Sequence, residues 1–464
     1  MKTLSLLAAA LVLAGCTSLA PDYQRPAAPV PQAWPAPSAA TAASPDAVAE
    51  RSWQQFFSDE RLRTLIGQAL EHNRDLRVAA LNIERARALY RIERADRLPT
   101  VAVGAGATAQ RTPGSLTPSG RAETTHRYDA GVGISGYELD FFGRVRSLNE
   151  AGLQEYLATE QARHSAQISL VAEVANAYLA LAADRERQRL ARETLDNQRS
   201  AYTLIQRRVE SGVASQLDLS RAQTTVDAAR GDLARFTAQA AQAENALALL
   251  VGAPLPPELL PDSLAPVATL DALPAGLPSQ VLQRRPDIRG AEHRLQAAHA
   301  QIGAARAAFF PSITLTASGG VASAALADLF RAGAGAWAFL PQVTLPIFEG
   351  GRRQAAAEVA DAERAIALAQ YEGAVQRAFR EVADALAVRS TLGEQLEAQQ
   401  SLVAATAQTF RLSEIRFRQG ALSYLEVLDA QREMVAAQQA LIAVRLTRLS
   451  NQVSLYRALG GGWA

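Results

Sequence analysis

The chain has 464 residues, 48% of them hydrophobic, with 47 basic and 46 acidic side chains for a formal net charge of +1. That balance gives no reason to expect nucleic acid as a partner, and the apolar content excludes disorder throughout. One cysteine excludes an intrachain disulfide and a cysteine-rich metal site, and the longest apolar run, Leu4–Gly15, is too short for a ~20-residue membrane-crossing helix.

In chain order, Lys2 and the apolar stretch after it read as a bacterial export signal over 1–15. Leu13-Ala14-Gly15-Cys16 resembles a lipoprotein box, which implies cleavage before Cys16 and acylation of its thiol and new amine. Two or more acyl chains anchor stably where one does not. Thr17, in place of Asp, points to the outer membrane. Residues 16–58 read as a lipid-anchored extended arm, with seven of the 21 prolines between Pro21 and Pro45.

A first repeat spans 59–252: a helix over Asp75–Leu98, strands at about 99–111 and 126–141, then helices over 144–211 and 214–251. A Pro-rich linker, 253–279, separates it from a second repeat, 280–464. There the helix is Pro286–Phe310, the strands are about 311–322 and 335–348, and the helices 352–419 and 422–459. No proline interrupts 119–253 or 347–464, which leaves both tracts free to be helical. Arg208-x-x-x-Gly212-x-x-Ser215-x-Leu217 recurs as Arg416-x-x-x-Gly420-x-x-Ser423-x-Leu425, an offset of 208. Asp75 and Asp287 are 212 apart, and the difference of four reads as a loop insertion in the first half. A duplicated unit follows. The fold class is mainly α with a β part.

All four strands alternate. Val101, Val103, Ala105 and Ala107 share one face; so do Tyr128, Ala130, Val132 and Ile134, then Ile313, Leu315 and Ala317, then Trp337, Phe339 and Val343. The other faces are small or polar. A transmembrane barrel has this pattern; a half-buried soluble sheet alternates identically, and the export signal favours the barrel. Four strands close no membrane barrel, so spanning strands require a shared one: two chains give eight, three give twelve.

The chain resembles the TolC/OprM-like outer membrane efflux factors, closest to the lipidated branch serving resistance-nodulation-division pumps. The resemblance rests on Leu13–Cys16, Ala20-Pro21-Asp22-Tyr23-Gln24-Arg25-Pro26, Arg285-Pro286-Asp287, Phe310-Pro311-Ser312, Pro346-Ile347-Phe348-Glu349-Gly350-Gly351-Arg352 and Tyr424-Leu425-Glu426-Val427-Leu428-Asp429. It implies a homotrimer with a shared 12-stranded outer membrane barrel, continued by a periplasmic α-helical barrel. A belt would form from Glu50–His72, the Pro-rich centre and the C-terminus. The implied function is a passive exit duct for drugs or other small molecules. Its partners would be a periplasmic adaptor, an inner membrane transporter and outer membrane lipid, with no cofactor beyond the lipid on Cys16. Rivals are a type I secretion duct and a non-channel periplasmic coiled-coil lipoprotein.

The resemblance places Leu425, Glu426 and Asp429 at a pore constriction, with Arg221 a candidate gate ion-pair partner. The turns carrying Arg208, Gly212, Ser215, Leu217, Arg416, Gly420 and Ser423 are candidate adaptor docking sites. No enzyme motif stands out. Gly131-Val132-Gly133-Ile134-Ser135-Gly136 fits G-x-G-x-x-G but lies in a strand with no helix opening after it. His293 and His299 are six apart, not the four of a helical metal pair, and His72, His126 and His164 read as solvated.

Overall fold

The computed structural model describes residues 18–34, 52–265 and 279–461. The export signal, Cys16 with its box, residues 35–51 of the proline-rich arm and residues 266–278 of the linker lie outside them. Helices α1 (Trp53–Phe56), α2 (Glu60–His72) and α3 (Arg74–Ala95) precede strands β1 (Val101–Thr112) and β2 (Glu123–Glu138). Helices α4 (Arg144–Glu210) and α5 (Gln216–Val251) complete the first half. The second half runs α6 (Pro286–Ala307), β3 (Ser312–Ser323), β4 (Gly335–Thr344), α7 (Arg352–Arg418) and α8 (Tyr424–Ala458). Helices α4 and α7 have 67 residues each, ~100 Å of helix at 1.5 Å per residue.

Two compact units form, and each draws on both halves of the sequence. The unit containing Asn82–Glu160 and Gly290–Tyr371 holds the sheet. Its strands are antiparallel in the order β1-β2-β3-β4, which leaves β1 and β4 as open edges among the described residues. The register builds rows across the sheet. Val101, Ile134, Ala317 and Phe339 make one, and Val103, Val132, Gly319 and Trp337 the next, all on one face. Val103 is 85% exposed and Trp337 83%, so the apolar face has no cover among the described residues. The opposite face carries Gly104, Gly106, Gly131, Gly133 and Gly320 and lines a hollow of about 470 Å³. A Cβ on Gly131 would lie 2.8 Å from the Gly319 carbonyl oxygen, and one on Gly320 would strike the Ala130 carbonyl. The G-x-G-x-x-G hexapeptide is therefore a curvature device: its first two glycines sit on the inner face. Its third, Gly136, adopts φ 63° at a bulge between Ile134 and Tyr137, the conformation a side chain disfavours.

That bulge corrects the loop-insertion expectation. Strand β2 has 16 residues and β4 has 10; the extra length of the first half lies in a strand. The bulge puts Tyr137 beside Leu315, on the apolar face, where strict alternation would have placed it inside. Its hydroxyl donates to the Arg97 carbonyl at 3.1 Å.

In the second unit, Asp59 caps α2 by accepting from the Arg61 and Leu62 amides and takes the Tyr178 hydroxyl of α4 at 3.1 Å. Phe56 stacks on Tyr456 near the end of α8, ring centroids 4.0 Å apart. The Arg61 guanidinium reaches the Leu260 carbonyl at 3.3 Å. Residues around α2, the start of the Pro-rich segment and the C-terminal helix thus pack about the middle of α4. One stretch of α4 is apolar enough to cross a membrane by length and composition, yet 61% of it is buried, which is core packing. Buried Arg285 joins Asp287, Glu381 and the Ala458 carbonyl at 2.8–2.9 Å, which accounts for the Arg285-Pro286-Asp287 motif.

Gly320→Ala and Gly131→Val should abolish the folded, heat-modifiable species on unboiled gels. Gly104→Ala, with nothing within 4 Å of its Cβ position, should leave it intact. Equal behaviour of all three variants would remove the curvature argument.

Candidate functional site

The repeated turn motif is a pair of helix C-caps. Gly212 (φ 72°) and Gly420 (φ 74°) take the left-handed conformation. The Val213 amide donates to the Arg208 carbonyl at 2.8 Å and the Ala421 amide to the Arg416 carbonyl at 2.9 Å. These are the closing bonds of a Schellman motif, so the Arg-x-x-x-Gly spacing measures a helix end. The helices that follow start differently. Ser215 closes a reciprocal capping box with Asp218, whereas Ser423 makes no side-chain cap to the backbone. Its hydroxyl instead lies 3.4 Å from the Glu426 carboxylate.

The two tips are held together. Tyr424, Val427 and Leu428 of α8 bury against Ile205 and Ala222, with Phe417 and Leu219 beside them. The Arg208 guanidinium sits 4.8 Å above the Phe417 ring, so it serves tip packing as well as surface charge. Tyr424 is 6% exposed, and its hydroxyl has no hydrogen-bond partner among the described residues. Burial, and then the Asp218 charge, push its pKa up to about 12. Away from this cluster, Leu425, Glu426 and Asp429 lie on the outward face of α8, Leu425 and Glu426 exposed and Asp429 half-exposed. Asp429 pairs with Arg432 three residues on, a surface pair. The three expected constriction residues therefore share a free face, and Arg432 joins them. Arg221 has no carboxylate partner within the described residues.

Downstream of Cys16, residues 19–25 lie antiparallel along α6. Arg306 reaches the Leu19 carbonyl at 3.5 Å, and Ala20 packs where a Cβ on Gly303 would be. Tyr23 meets His299 edge to face. Arg25 grips Glu292 through two bonds of 2.6 and 2.8 Å, and the Tyr23 hydroxyl donates to the same carboxylate at 3.0 Å. Burial and the nearby Arg364 lower the pKa of His299. Among the isolated histidines, His72 and His126 are exposed but His164 is half-buried. No cluster of three metal-ligating side chains occurs among the described residues.

A family profile described as outer membrane efflux protein matches residues 65–253 and 277–461. The chain belongs to the outer membrane efflux protein family. This efflux protein is 49% identical to the probable efflux pump outer membrane protein TtgC of Pseudomonas putida, over 99% of this chain and 95% of that one. It is 44% identical to the cation efflux system protein CusC of Escherichia coli, over 98% and 97%. The open-state MtrE outer membrane channel of Neisseria gonorrhoeae superposes with a TM-score of 0.87 at 39% identity, covering 96% of this chain and 99% of that one. The efflux protein is thus an exit duct in the outer membrane that extends into the periplasm. Phe417 and Arg432 were not singled out from the sequence, and Tyr424 entered only as the first residue of a motif, without a role. Their signals were present: aromatics flanking a helix end, and an acid–base pair at i, i+3.

Tyr424→Phe should leave thermal stability unchanged or slightly raised, since it deletes an unsatisfied buried hydroxyl. Tyr424→Ala should cost ~3–5 kcal/mol and loosen both tips; equal melting temperatures for the two variants would contradict the packing role. Separately, Glu292→Ala should free residues 19–25 from α6, read as new chymotryptic cleavage after Tyr23. Continued protection would show that the ion pair is dispensable.

Proposed function

We propose that three copies of this chain share one twelve-stranded barrel and form a passive duct gated at the helix tips, without covalent chemistry or a cofactor. The observation that carries this is the pair of open edges, β1 and β4, on a sheet whose apolar face is uncovered. In hydrocarbon every backbone donor and acceptor needs a partner. Pairing β1 of one copy with β4 of the next satisfies both edges, and twelve strands enclose an aqueous lumen where eight would be filled by side chains.

On a three-fold axis, Leu425, Glu426 and Asp429 would approach their copies. Carboxylates gathered in a narrow opening favour cations and repel one another. Arg432 offsets part of that charge on each copy, and Arg221 stands as the partner for an acid of a neighbouring copy. The turns at Arg208–Leu217 and Arg416–Ser423 are the surfaces for a periplasmic adaptor's helical hairpin, with Gly212, Gly420, Ser215 and Ser423 setting their shape. An inner membrane transporter would deliver the cargo, small molecules of the kinds for which the relatives are named. Acylation of Cys16 would hold the chain in the inner leaflet of the outer membrane.

Light scattering of the detergent-extracted mature protein, corrected for bound detergent, should give three times the chain mass; a stable monomer would end this reading. In planar bilayers, Glu426→Ala with Asp429→Ala should raise conductance and weaken block by multivalent cations. Unchanged conductance and block would remove the acid constriction while leaving the duct.

A further inference from the structure

We propose that the outer end of the first β-hairpin binds a phosphate of an anionic glycolipid in the outer leaflet, through Arg111 and His126 on its outward face. The outer-membrane reading enters only to fix direction. Helix α3 leads into β1 at Val101 and β2 leads toward α4, so the turn between the strands points away from the periplasmic helices.

The register fixes the face. Val101, Val103, Ala105, Ala107, Ala109 and Arg111 stand on one side of β1, opposite Ile134, Val132, Ala130, Tyr128, His126 and Thr124 of β2. The apolar stripe that faces lipid therefore ends on Arg111, with His126 its diagonal neighbour and Thr124 directly across. Height agrees. Ten residues separate the Val101–Phe339 row from the Arg111–Thr124 row, ~33 Å along the strand. At a tilt of ~40° that is about 25 Å along the membrane normal, the height of a barrel's apolar band. Arg111 thus reaches the outer headgroup layer, where a guanidinium costs little.

Charge decides between a solvated arginine and an occupied one. Arg127 has Asp129 at 3.4 Å and Arg331 has Asp328 at 2.6 Å. Arg111 and Arg121 have no carboxylate partner among the described residues. The nearest acids of the hairpin are on the other side: Asp129 opposes Gly106 on the inner face, and Glu123 takes the Ser119 hydroxyl at 2.6 Å. A guanidinium fork matches phosphate oxygens bidentately. Below it, Ala105, Ala107 and Ala109 leave a shallow strip beside Tyr128, room for an acyl chain. The second hairpin ends with its one arginine already paired, so the site belongs to the first hairpin alone.

The test is native mass spectrometry of the mature protein in non-ionic detergent, titrated with bisphosphorylated lipid A and with its dephosphorylated form. The wild type should retain the bisphosphorylated lipid about tenfold better, and Arg111→Gln with His126→Gln should lose that preference. Arg111→Gln alone, should the double variant assemble poorly, should lose part of it. A wild type indifferent to the phosphates, or variants with unaltered preference, would overturn the proposal. So would full displacement of the lipid by inorganic phosphate at equal concentration, which would mark a general anion site. Mass and conductance, which test the duct, should be the same in the variants, so the two readings fail separately.

Discussion

Inside hydrocarbon a strand edge has no water to satisfy its amides and carbonyls. A four-stranded sheet with two edges unpaired among the described residues is therefore incomplete by itself, and much else in the molecule answers to that fact. The apolar rows face outward. The inner face is stripped to glycine so that the β2–β3 seam can bend. Duplication supplies two hairpins per chain, each followed by a 67-residue helix, so that every pair of strands comes with one long helix.

The helical part obeys a different constraint. The apolar residues of α4 and α7 are spread around the axis rather than gathered in one stripe. Local features therefore set where they stop. Glycine closes each long helix in the left-handed conformation, and the tips are then tied by Tyr424, Phe417 and the Arg208 guanidinium. The middle is fixed by buried polar contacts, such as Tyr178 with Asp59 and Arg285 with Glu381.

Much of this was legible in the residues. Proline-free tracts delimited the long helices, the offset of 208 aligned their ends, and alternation assigned the faces of four strands. What escaped depended on partners distant in the sequence. The bulge at Gly136 exists only relative to β3, and no reading of β2 alone reveals that Tyr137 turns outward. Glu292 looks like any helical acid until Arg25 and Tyr23, 267 and 269 residues away, close on it. A nearer partner escaped too: Asp429 was visible as an acid spaced with Leu425 and Glu426, but its pairing with Arg432, three residues on, depends on rotamers.

The duplicated halves have not stayed equivalent at their tips. Helix α5 begins with a closed capping box, and α8 begins with none. The first turn of α8 therefore has amide donors that no capping side chain takes, and it is held by the burial of Tyr424, Val427 and Leu428. One copy of the ancestral hairpin is thus fastened at its turn by hydrogen bonds along the backbone, and the other by a wedge of side chains driven between its neighbours.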